Sequence, residues 1–539
     1  MRDLLKELKD KNIFISLEKG ELKIKFNGPA LPEELVRRIR HHKEGLVEYL
    51  ATFNIAADYC DITPVKDEES YPLSPPQYRL WVLSQLEEGN VAYNMPGMYV
   101  FEGNLEPGAL EHAFQWLILR HEILRTVFRE DGQGEVRQFI NPPDASGFRI
   151  VYHDLRQTMG QNHLVKELSQ MEFIRPFDLS CGPLLRASLF RVEDKKWIFA
   201  YVMHHIIGDG WSMGVLMREM LQLYNSYATG EEHHLKPLRI QYKDYAAWHL
   251  AQLSGDSLRK HRNYWLNLFR GEWPALELPI AGRRPPIKTF HGAAIAKTFS
   301  SALSQGLKEL VKQEGATLFM GLLSLVNTLL YLYTGNEDLV IGTPVIGREH
   351  VELEDQIGFY LNTVALRIKF AGKYCFREML HTVKHITLEA YEHQAYPFDQ
   401  LVDELHLQRD LSRNPLFDVM VILQNITLRS NPGTRGHSDL NVSPYYERET
   451  LTSKFDITFD FFESGHEIHV NVVYNRDIYG KGSIQKMIDH LERLFLAVVA
   501  DPCQPIAELE YRSDEERHRL QADQEEMRSG FTAAISDEF

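Results

Sequence analysis

The clearest pattern of apolar and polar positions lies near residue 200, where a strand-like run is followed by a helical one. Residues 197–203 are continuously apolar, aromatic or β-branched, which predicts a buried strand. Residues 211–227 place leucine, methionine and tyrosine side chains at helical spacing, which predicts a helix with one buried face. Residues 204–210 must therefore form a tight turn between two buried elements.

This turn carries His204, His205 and Asp209, and Gly208 and Gly210 flank the aspartate. Adjacent side chains of an extended chain point to opposite faces, so only one histidine is expected to enter a given cavity. That argues against a metal site, and we predict none. Two interpretations remain, a buried structural His/Asp pair or a reaction centre. The glycines favour the reaction centre, because glycine allows a positive φ or the close approach of another backbone.

The first fifty residues follow another pattern. Leucines at 4, 5 and 8 predict a short helix, residues 14–17 and 21–26 predict a hairpin that turns at Gly20, and a second helix is expected after Pro32. We therefore predict an αββα unit over residues 1–58, followed by a charged linker over 59–70. So small a unit has a limited core and can leave a hairpin edge available to a partner segment.

The second predicted strand of this unit has two different faces. Leu22 and Ile24 share one face, and Lys23 and Lys25 share the other. The lysines indicate an acidic partner peptide. The alternative is that they form a solvated face that protects a strand edge from aggregation.

Composition narrows the possible functions. The chain has 539 residues, 44% of them hydrophobic, and a net charge of -16, which argues against a nucleic-acid binder. Its four cysteines lie far apart with no zinc-type spacing, so we expect reduced thiols in a cytoplasmic protein. The most apolar run, residues 318–333, is interrupted by polar residues and is shorter than a membrane span, which predicts a buried core helix.

The turn pattern HHxxxDG resembles the condensation domains of nonribosomal peptide synthetases, and six further motifs occur in that family's order. These are residues 74–81 (SPPQYRLW), 120–126 (RHEILRT), 242–248 (YKDYAAW), 357–363 (IGFYLNT), 393–398 (HQAYPF) and the run from Arg409 to Phe417. The resemblance covers about residues 71–511. Residues 93–96 (YNMP) are similar to members that accept an L-configured donor, and the first 58 residues resemble docking domains of the tubulysin-synthetase type.

This resemblance implies an α/β (α+β) fold of two chloramphenicol acetyltransferase-like lobes that form a V-shaped pseudo-dimer with a tunnel between them. We expect the lobes at residues 71–240 and 241–512, and the start of a linker to an adenylation domain at 513–539. The implied reaction forms an amide between an upstream carrier-bound acyl or peptidyl thioester and the amine of a downstream carrier-bound aminoacyl thioester. The phosphopantetheine arms would come from the carriers, and the chain itself would bind no cofactor.

The same resemblance assigns roles to individual residues. The implied catalytic residues are His205, His204, Asp209 and Gly210. His205 would be a base or would position the amine, and the Gly210 N–H would meet the developing oxyanion. Asp209 and Arg348 would clamp the lobes together. Three residues, Trp211, Ser212 and Asn414, are expected along the tunnel.

Two other functions remain open. A stand-alone acyltransferase that uses coenzyme A thioesters would need the same histidine, and a noncatalytic docking or interaction module would need no chemistry. Consumption of carrier-bound or coenzyme A thioesters distinguishes these cases.

Overall fold

A computed structural model describes residues 13–18, 21–26, 33–43, 61–85, 87–255, 258–279, 283–407, 410–424, 440–445, 452–519 and 522. The helices in this part of the chain are α1 (Glu33–His41), α2 (Pro75–Ser84), α3 (Glu87–Ala92), α4 (Pro107–Arg120), α5 (Gln161–Ile174), α6 (Gly210–Thr229), α7 (Tyr242–Ser254), α8 (Arg259–Leu268), α9 (Ser301–Gln313), α10 (Leu318–Thr334), α11 (Phe376–Glu392), α12 (Phe398–Glu404) and α13 (Lys481–Ala500). The strands are β1 (Ile13–Glu18), β2 (Glu21–Phe26), β3 (Tyr71–Pro72), β4 (Asn94–Glu102), β5 (Thr126–Glu130), β6 (Val136–Ile140), β7 (Ile150–Asp154), β8 (Leu185–Glu193), β9 (Lys196–His204), β10 (Gly292–Thr298), β11 (Asp338–Val345), β12 (Asn362–Lys369), β13 (Val419–Gln424), β14 (Asn441–Pro444), β15 (Ile457–Ser464) and β16 (Glu467–Asn475).

The first lobe is built on a five-stranded sheet of order β14-β4-β9-β8-β7. Its central strand β9 pairs antiparallel with β4 from Asn94↔His204 to Glu102↔Lys196. Eight of the nine residues of β9 are buried, as expected for a continuously apolar strand covered on both faces. Helix α6 packs against this sheet's core through Leu216, Met220 and Leu223. A small sheet of order β3-β6-β5 belongs to the same half of the chain.

The second lobe has a six-stranded sheet of order β10-β16-β15-β13-β11-β12. β13 runs parallel to both β11 and β15, and the other pairs are antiparallel. Helix α10 lies in the core of this lobe, where residues 320–330 are all buried. The core helix predicted over residues 318–333 is therefore confirmed.

Segments of the second half of the chain reach back to the first lobe. Strand β14 extends the first lobe's sheet by pairing with β4. The segment between β11 and β12 buries Leu353, Ile357 and Tyr360 in the first lobe's core, where Tyr242 of α7 also lies. The expected boundary at residue 240 therefore falls inside a packed region, because this segment and α7 cover apolar surface that the first lobe's own elements leave open.

Parts of both expected linkers pack against the lobes. Ile62 is fully buried in the first lobe's core, and the Val65 N–H donates to Asp244 Oδ1 at 2.8 Å. At the other end, Ser513 caps the helical residues 514–519, and Glu516 pairs with His490 of α13 at 2.9 Å. Apolar burial and charge pairing hold both segments against the lobes.

The N-terminal unit is described in part. Strands β1 and β2 form the predicted antiparallel hairpin, with Leu17 opposite Leu22 and Ile15 opposite Ile24. Helix α1 buries Leu35 and Ile39, which the sequence placed on one apolar face. The helix predicted around residues 4–8 lies outside the described residues.

Among the described residues, no single helix has the length and apolar content needed to cross a membrane. Helices α9 and α10 meet that test only when taken together, and they are bent by 107°. The three described cysteines are free thiols.

Candidate active site

The turn predicted between strand and helix has a defined geometry. β9 ends at His204, residues 205–207 form one turn of 3₁₀ helix, and Asp209 is the N-cap of α6. Gly208 has an extended backbone, and a Cβ there would lie 2.6 Å from Met203 Sδ. Glycine is therefore favoured at residue 208 by close packing rather than by a positive φ. Gly210 is exposed with open space around it.

The two histidines point to opposite faces, as predicted. His204 is fully buried, its ring centre lies 6.0 Å from that of Phe177, and its Nδ1 accepts the Ile206 N–H at 3.2 Å. Burial lowers the pKa of His204 to about 3. His205 is half-buried on the other face, with its ring centre 4.9 Å from that of Phe359.

The hydrogen bonding of His205 fixes its tautomer. Its Nδ1 lies 2.8 Å from the Gly208 carbonyl oxygen. Because a carbonyl oxygen only accepts, Nδ1 must carry the hydrogen, which leaves a lone pair on Nε2 of the neutral ring. Burial, and secondarily the charge of Lys454, holds the pKa of His205 well below its usual value. The ring is therefore neutral at physiological pH and ready to accept a hydrogen at Nε2.

Asp209 and Arg348 form the predicted contact between the lobes. Arg348 Nη2 donates to Asp209 Oδ1 at 3.2 Å, and both side chains are 0% exposed. Asp209 Oδ1 also accepts from the backbone N–H and the hydroxyl of Ser212, each at 2.7 Å, and Oδ2 accepts the Tyr360 N–H at 3.1 Å. The carboxylate thus joins the start of α6 to the segment between β11 and β12.

Arg348 is held from several sides. Its Nη1 donates to the carbonyl oxygens of Leu353 and Gln356, the latter at 2.8 Å. Its guanidinium lies 4.1 Å from the centre of the Tyr360 ring, a cation–π contact in a buried setting. These contacts orient Arg348 toward Asp209.

Two residues expected along a tunnel bond to the segment that carries Arg348. Ser212 is fully buried, and its hydroxyl lies 2.9 Å from Arg348 Nη2 and 2.8 Å from the Gly358 carbonyl oxygen. Trp211 is half-buried, and its indole N–H donates to the Glu354 carbonyl at 2.8 Å. Both side chains follow Asp209 on the first turn of α6, which faces the segment that carries Arg348.

Asn414 lies in a different polar group. Its Oδ1 accepts a hydrogen bond from the ammonium of Lys288, which also donates to the Lys454 carbonyl oxygen at 2.5 Å. The side-chain oxygen of Asn414, a residue expected along the tunnel, is therefore bound to a lysine. Burial lowers the pKa of Lys288 to about 7.

The structure adds residues that the sequence did not indicate. Lys454 comes from the second lobe, and its Nζ lies 4.9 Å above the ring of Tyr93. Tyr93 belongs to the first lobe, and its carbonyl oxygen accepts the His205 N–H at 2.9 Å. Nearby, Arg79 of α2 pairs with Asp399 of α12 at 2.8 Å, a second ion pair between the lobes. Arg79 and Asp399 lie in or beside quoted motifs, whereas no local pattern marks Lys454.

The remaining predicted residues lie in the N-terminal hairpin. Leu22 and Ile24 are half-buried in β2. The side chains of Lys23 and Lys25 lie outside the described part of the structure, so their docking role stays a prediction.

In the described part of the chain, Asp61, His350 and Glu352 have ligand atoms close enough to hold a metal. The Arg239 guanidinium donates to both carboxylates, at 3.1 Å to Asp61. A cation already occupies the position between the acids, so this group is explained as an ion-pair cluster.

Comparisons with known proteins agree with this geometry. The sequence model of the family described as "Condensation domain" matches residues 67–521. The chain is 39% identical over 465 residues to tyrocidine synthase 3 of Brevibacillus parabrevis, which covers 86% of this chain and 7% of that protein. It is 36% identical over 478 residues to gramicidin S synthase 2 of Brevibacillus brevis, covering 88% and 10%. This chain therefore spans a small part of such relatives.

A solved structure has the same fold. The X-domain in a complex with OxyB from teicoplanin biosynthesis superposes with a TM-score of 0.74 at 25% identity, covering 85% of this chain and 100% of that chain. The predicted mixed α/β fold of two acetyltransferase-like lobes is thus confirmed.

Proposed function

Because the chain belongs to the condensation-domain family of the nonribosomal peptide synthetases, we propose that it forms an amide bond between two carrier-bound substrates. The donor is an acyl or peptidyl thioester from an upstream carrier, and the acceptor is the amine of an aminoacyl thioester on a downstream carrier. Relatives named for tyrocidine and gramicidin S synthesis support a place in antibiotic biosynthesis. The observation that carries the proposal is the neutral His205 whose Nε2 is left with a lone pair by the bond to Gly208.

The chemical step needs no protein nucleophile. The amine nitrogen attacks the thioester carbonyl, the C–N bond forms, the C–S bond breaks, and the thiolate leaves with the proton that the amine gives up. His205 Nε2 accepts this hydrogen or holds the amine in line for attack. Gly210 opens α6, where backbone N–H groups lack helical partners, so its N–H is suited to the oxyanion.

The test is reconstitution with loaded donor and acceptor carriers, followed by intact mass spectrometry of the acceptor. We expect His205→Ala to lower the rate of amide formation about 100- to 10,000-fold. His163→Ala is the matched control, because its side chain is 87% exposed on α5. Wild-type turnover by a folded His205→Ala protein would exclude the proposed role of His205.

The same assay separates the two other functions. A stand-alone acyltransferase would consume coenzyme A thioesters in place of the carrier-bound donor. An interaction module is favoured by one observation, the likeness to an X-domain solved in a complex with OxyB. Absence of turnover with both classes of donor would support that module and contradict amide formation.

We also propose that the N-terminal hairpin captures an acidic C-terminal peptide of an upstream subunit. The backbone of β2 would add a strand, and Lys23 and Lys25 would attract the peptide. Removal of residues 1–58 is expected to leave amide formation unchanged with excess donor carrier but to weaken transfer from the cognate partner. If the Lys23→Glu/Lys25→Glu protein binds the peptide as tightly as wild type across a range of salt concentrations, the proposed electrostatic attraction is excluded.

We also propose that the donor is L-configured, because residues 93–96 resemble those of family members that take L-configured donors. Donor carriers loaded with L- and D-terminated peptides test this in the same assay. Faster transfer of the D-form would contradict it. A covalently following adenylation domain would supply the acceptor.

A further inference from the structure

Lys454 places a positive charge at the junction of the two lobes, beside the turn that holds His205. It precedes β15 in the second lobe, and its ammonium lies 4.9 Å above the ring of Tyr93 in the first. The Tyr93 ring centre is 6.3 Å from that of His205, and the two residues share a backbone hydrogen bond of 2.9 Å. The lysine therefore faces the reaction centre from the opposite lobe.

No carboxylate of the described residues pairs with Lys454. Burial is the only cause that acts on its pKa, which falls to about 8, so the ammonium is still mostly charged at neutral pH. Nearby carboxylates are held by arginines: Asp399 by Arg79 at 2.8 Å, and Asp456 by Arg284. Among the described residues, the ammonium of Lys454 contacts the face of the Tyr93 ring and no counter-charge, so its field acts on groups in the junction.

Other titratable and charged groups also lie around this junction. They are His204, Tyr93, Arg79, Arg186, Arg284, Lys288, Asp399, Asp403, Asp418 and Asp456. Asp418 is paired with Arg413 at 2.5 Å, and Lys288, which donates to Asn414, has a pKa of about 7 because it is buried and is therefore only partly charged at neutral pH. Among the described residues, Asp399, Asp418 and Asp456 are thus each paired with an arginine, and after burial the charge of Lys454 is the main influence that lowers the pKa of His205.

Resting on the proposed amide formation, we propose that Lys454 is a positioning residue that keeps both His205 and the incoming acceptor amine in their neutral forms. The amine must lie within hydrogen-bonding reach of His205 Nε2, so a cation that acts on the imidazole acts on the amine as well. A nearby positive charge disfavours protonation of each. A neutral amine is the nucleophile, and a neutral imidazole can accept its hydrogen, so the lysine supports both requirements.

The test combines a pH profile with a direct titration. Single-turnover amide formation is measured across pH for wild type, Lys454→Met and Lys454→Arg. At an effective dielectric constant of about 20, a charge about 10 Å from a titrating group changes the pKa of that group by about one pH unit. We expect the acid limb of the Lys454→Met profile to move up by about that amount, while Lys454→Arg stays close to wild type. Lys297→Met removes one charge on the surface of the second lobe and is the matched control.

The titration of His205 by NMR of histidine-labelled protein gives a second readout without substrates. The pKa of His205 should rise in Lys454→Met and stay unchanged in Lys297→Met. A Lys454→Met protein whose pH profile and His205 titration both overlay wild type would overturn the inference, even if its rate were lower at every pH. If wild type forms no amide at all, the proposed function fails, and the titration alone still decides whether Lys454 controls His205.

Discussion

The clamp between Asp209 and Arg348 makes a quantitative prediction about stability. Asp209→Ala removes an acceptor that receives four hydrogen bonds from Ser212, Arg348 and Tyr360. Arg348 would keep two backbone carbonyl partners but lose its counter-charge at a site with no solvent exposure. Breaking one side of a buried pair costs about 3–5 kcal/mol, so we expect a loss of this size in the free energy of unfolding. Arg348→Met, which keeps much of the packing against Tyr360, should cost a similar amount.

Urea unfolding of the two single variants and of the double variant measures the coupling. Since each substitution removes the same contact, the double variant should lose about 1–3 kcal/mol less than the sum of the single losses. Arg218 and Asp355 are the matched control, because they join the same elements at 2.8 Å with side chains 29% and 70% exposed. Their cycle should give no more than about 1 kcal/mol. Strictly additive losses at Asp209 and Arg348 would refute the clamp.

Two further changes test the segment that carries Arg348. Gly347 has φ +64°, and a Cβ there would lie 1.9 Å from the Tyr360 carbonyl oxygen. Gly335 has φ +72° but open space around it, so Gly335→Ala should cost roughly 1–2 kcal/mol of stability and Gly347→Ala should cost more. Equal melting temperatures for the two variants would contradict this. Burial raises the pKa of Glu349 to about 7, whereas the unfolded chain loses this proton near pH 4.5. The free energy of unfolding should therefore fall as the pH rises from about 4.5 to 7. In unfolding experiments across pH, Glu349→Gln should therefore be more stable than wild type by up to about 3 kcal/mol above pH 7 and equally stable below pH 4.5. Glu111→Gln, a substitution at an exposed position of α4, is the control.

The local sequence pattern was sufficient to predict the strand and the helix on either side of the turn that carries His205. The strand predicted over 197–203 is β9 at Lys196–His204, and the helix predicted over 211–227 is α6 at Gly210–Thr229. The opposite directions of His204 and His205 follow from the alternation of an extended chain. These features depend on neighbours in the sequence, and for that reason the sequence predicts them.

Local pattern does not predict features that depend on contacts between distant segments, and the one such contact that was expected, between Asp209 and Arg348, came from the family resemblance. Ser212 was expected along a tunnel on the basis of the family resemblance, and the structure shows its hydroxyl bonded to Arg348, 136 positions away. The pairing of β14 with β4 joins residues more than 300 positions apart. Lys454 approaches Tyr93 only because β15 begins near the first lobe, and nothing in its neighbourhood in the sequence carries that information.

The geometry of the reaction centre depends on both lobes at once. Asp209 caps α6 with its Oδ1 and binds the Tyr360 N–H with its Oδ2, so the start of the helix and the segment between β11 and β12 are fixed by one carboxylate. His205 is four residues before this cap, and its Nδ1 is held by Gly208, directly beside Asp209. A shift of one lobe against the other therefore moves the residue that orients the imidazole. Because Lys454 and Tyr93 also lie on different lobes, the same shift changes the field at His205 Nε2. The orientation of His205 and the charge near it thus both involve residues at the contact between the lobes.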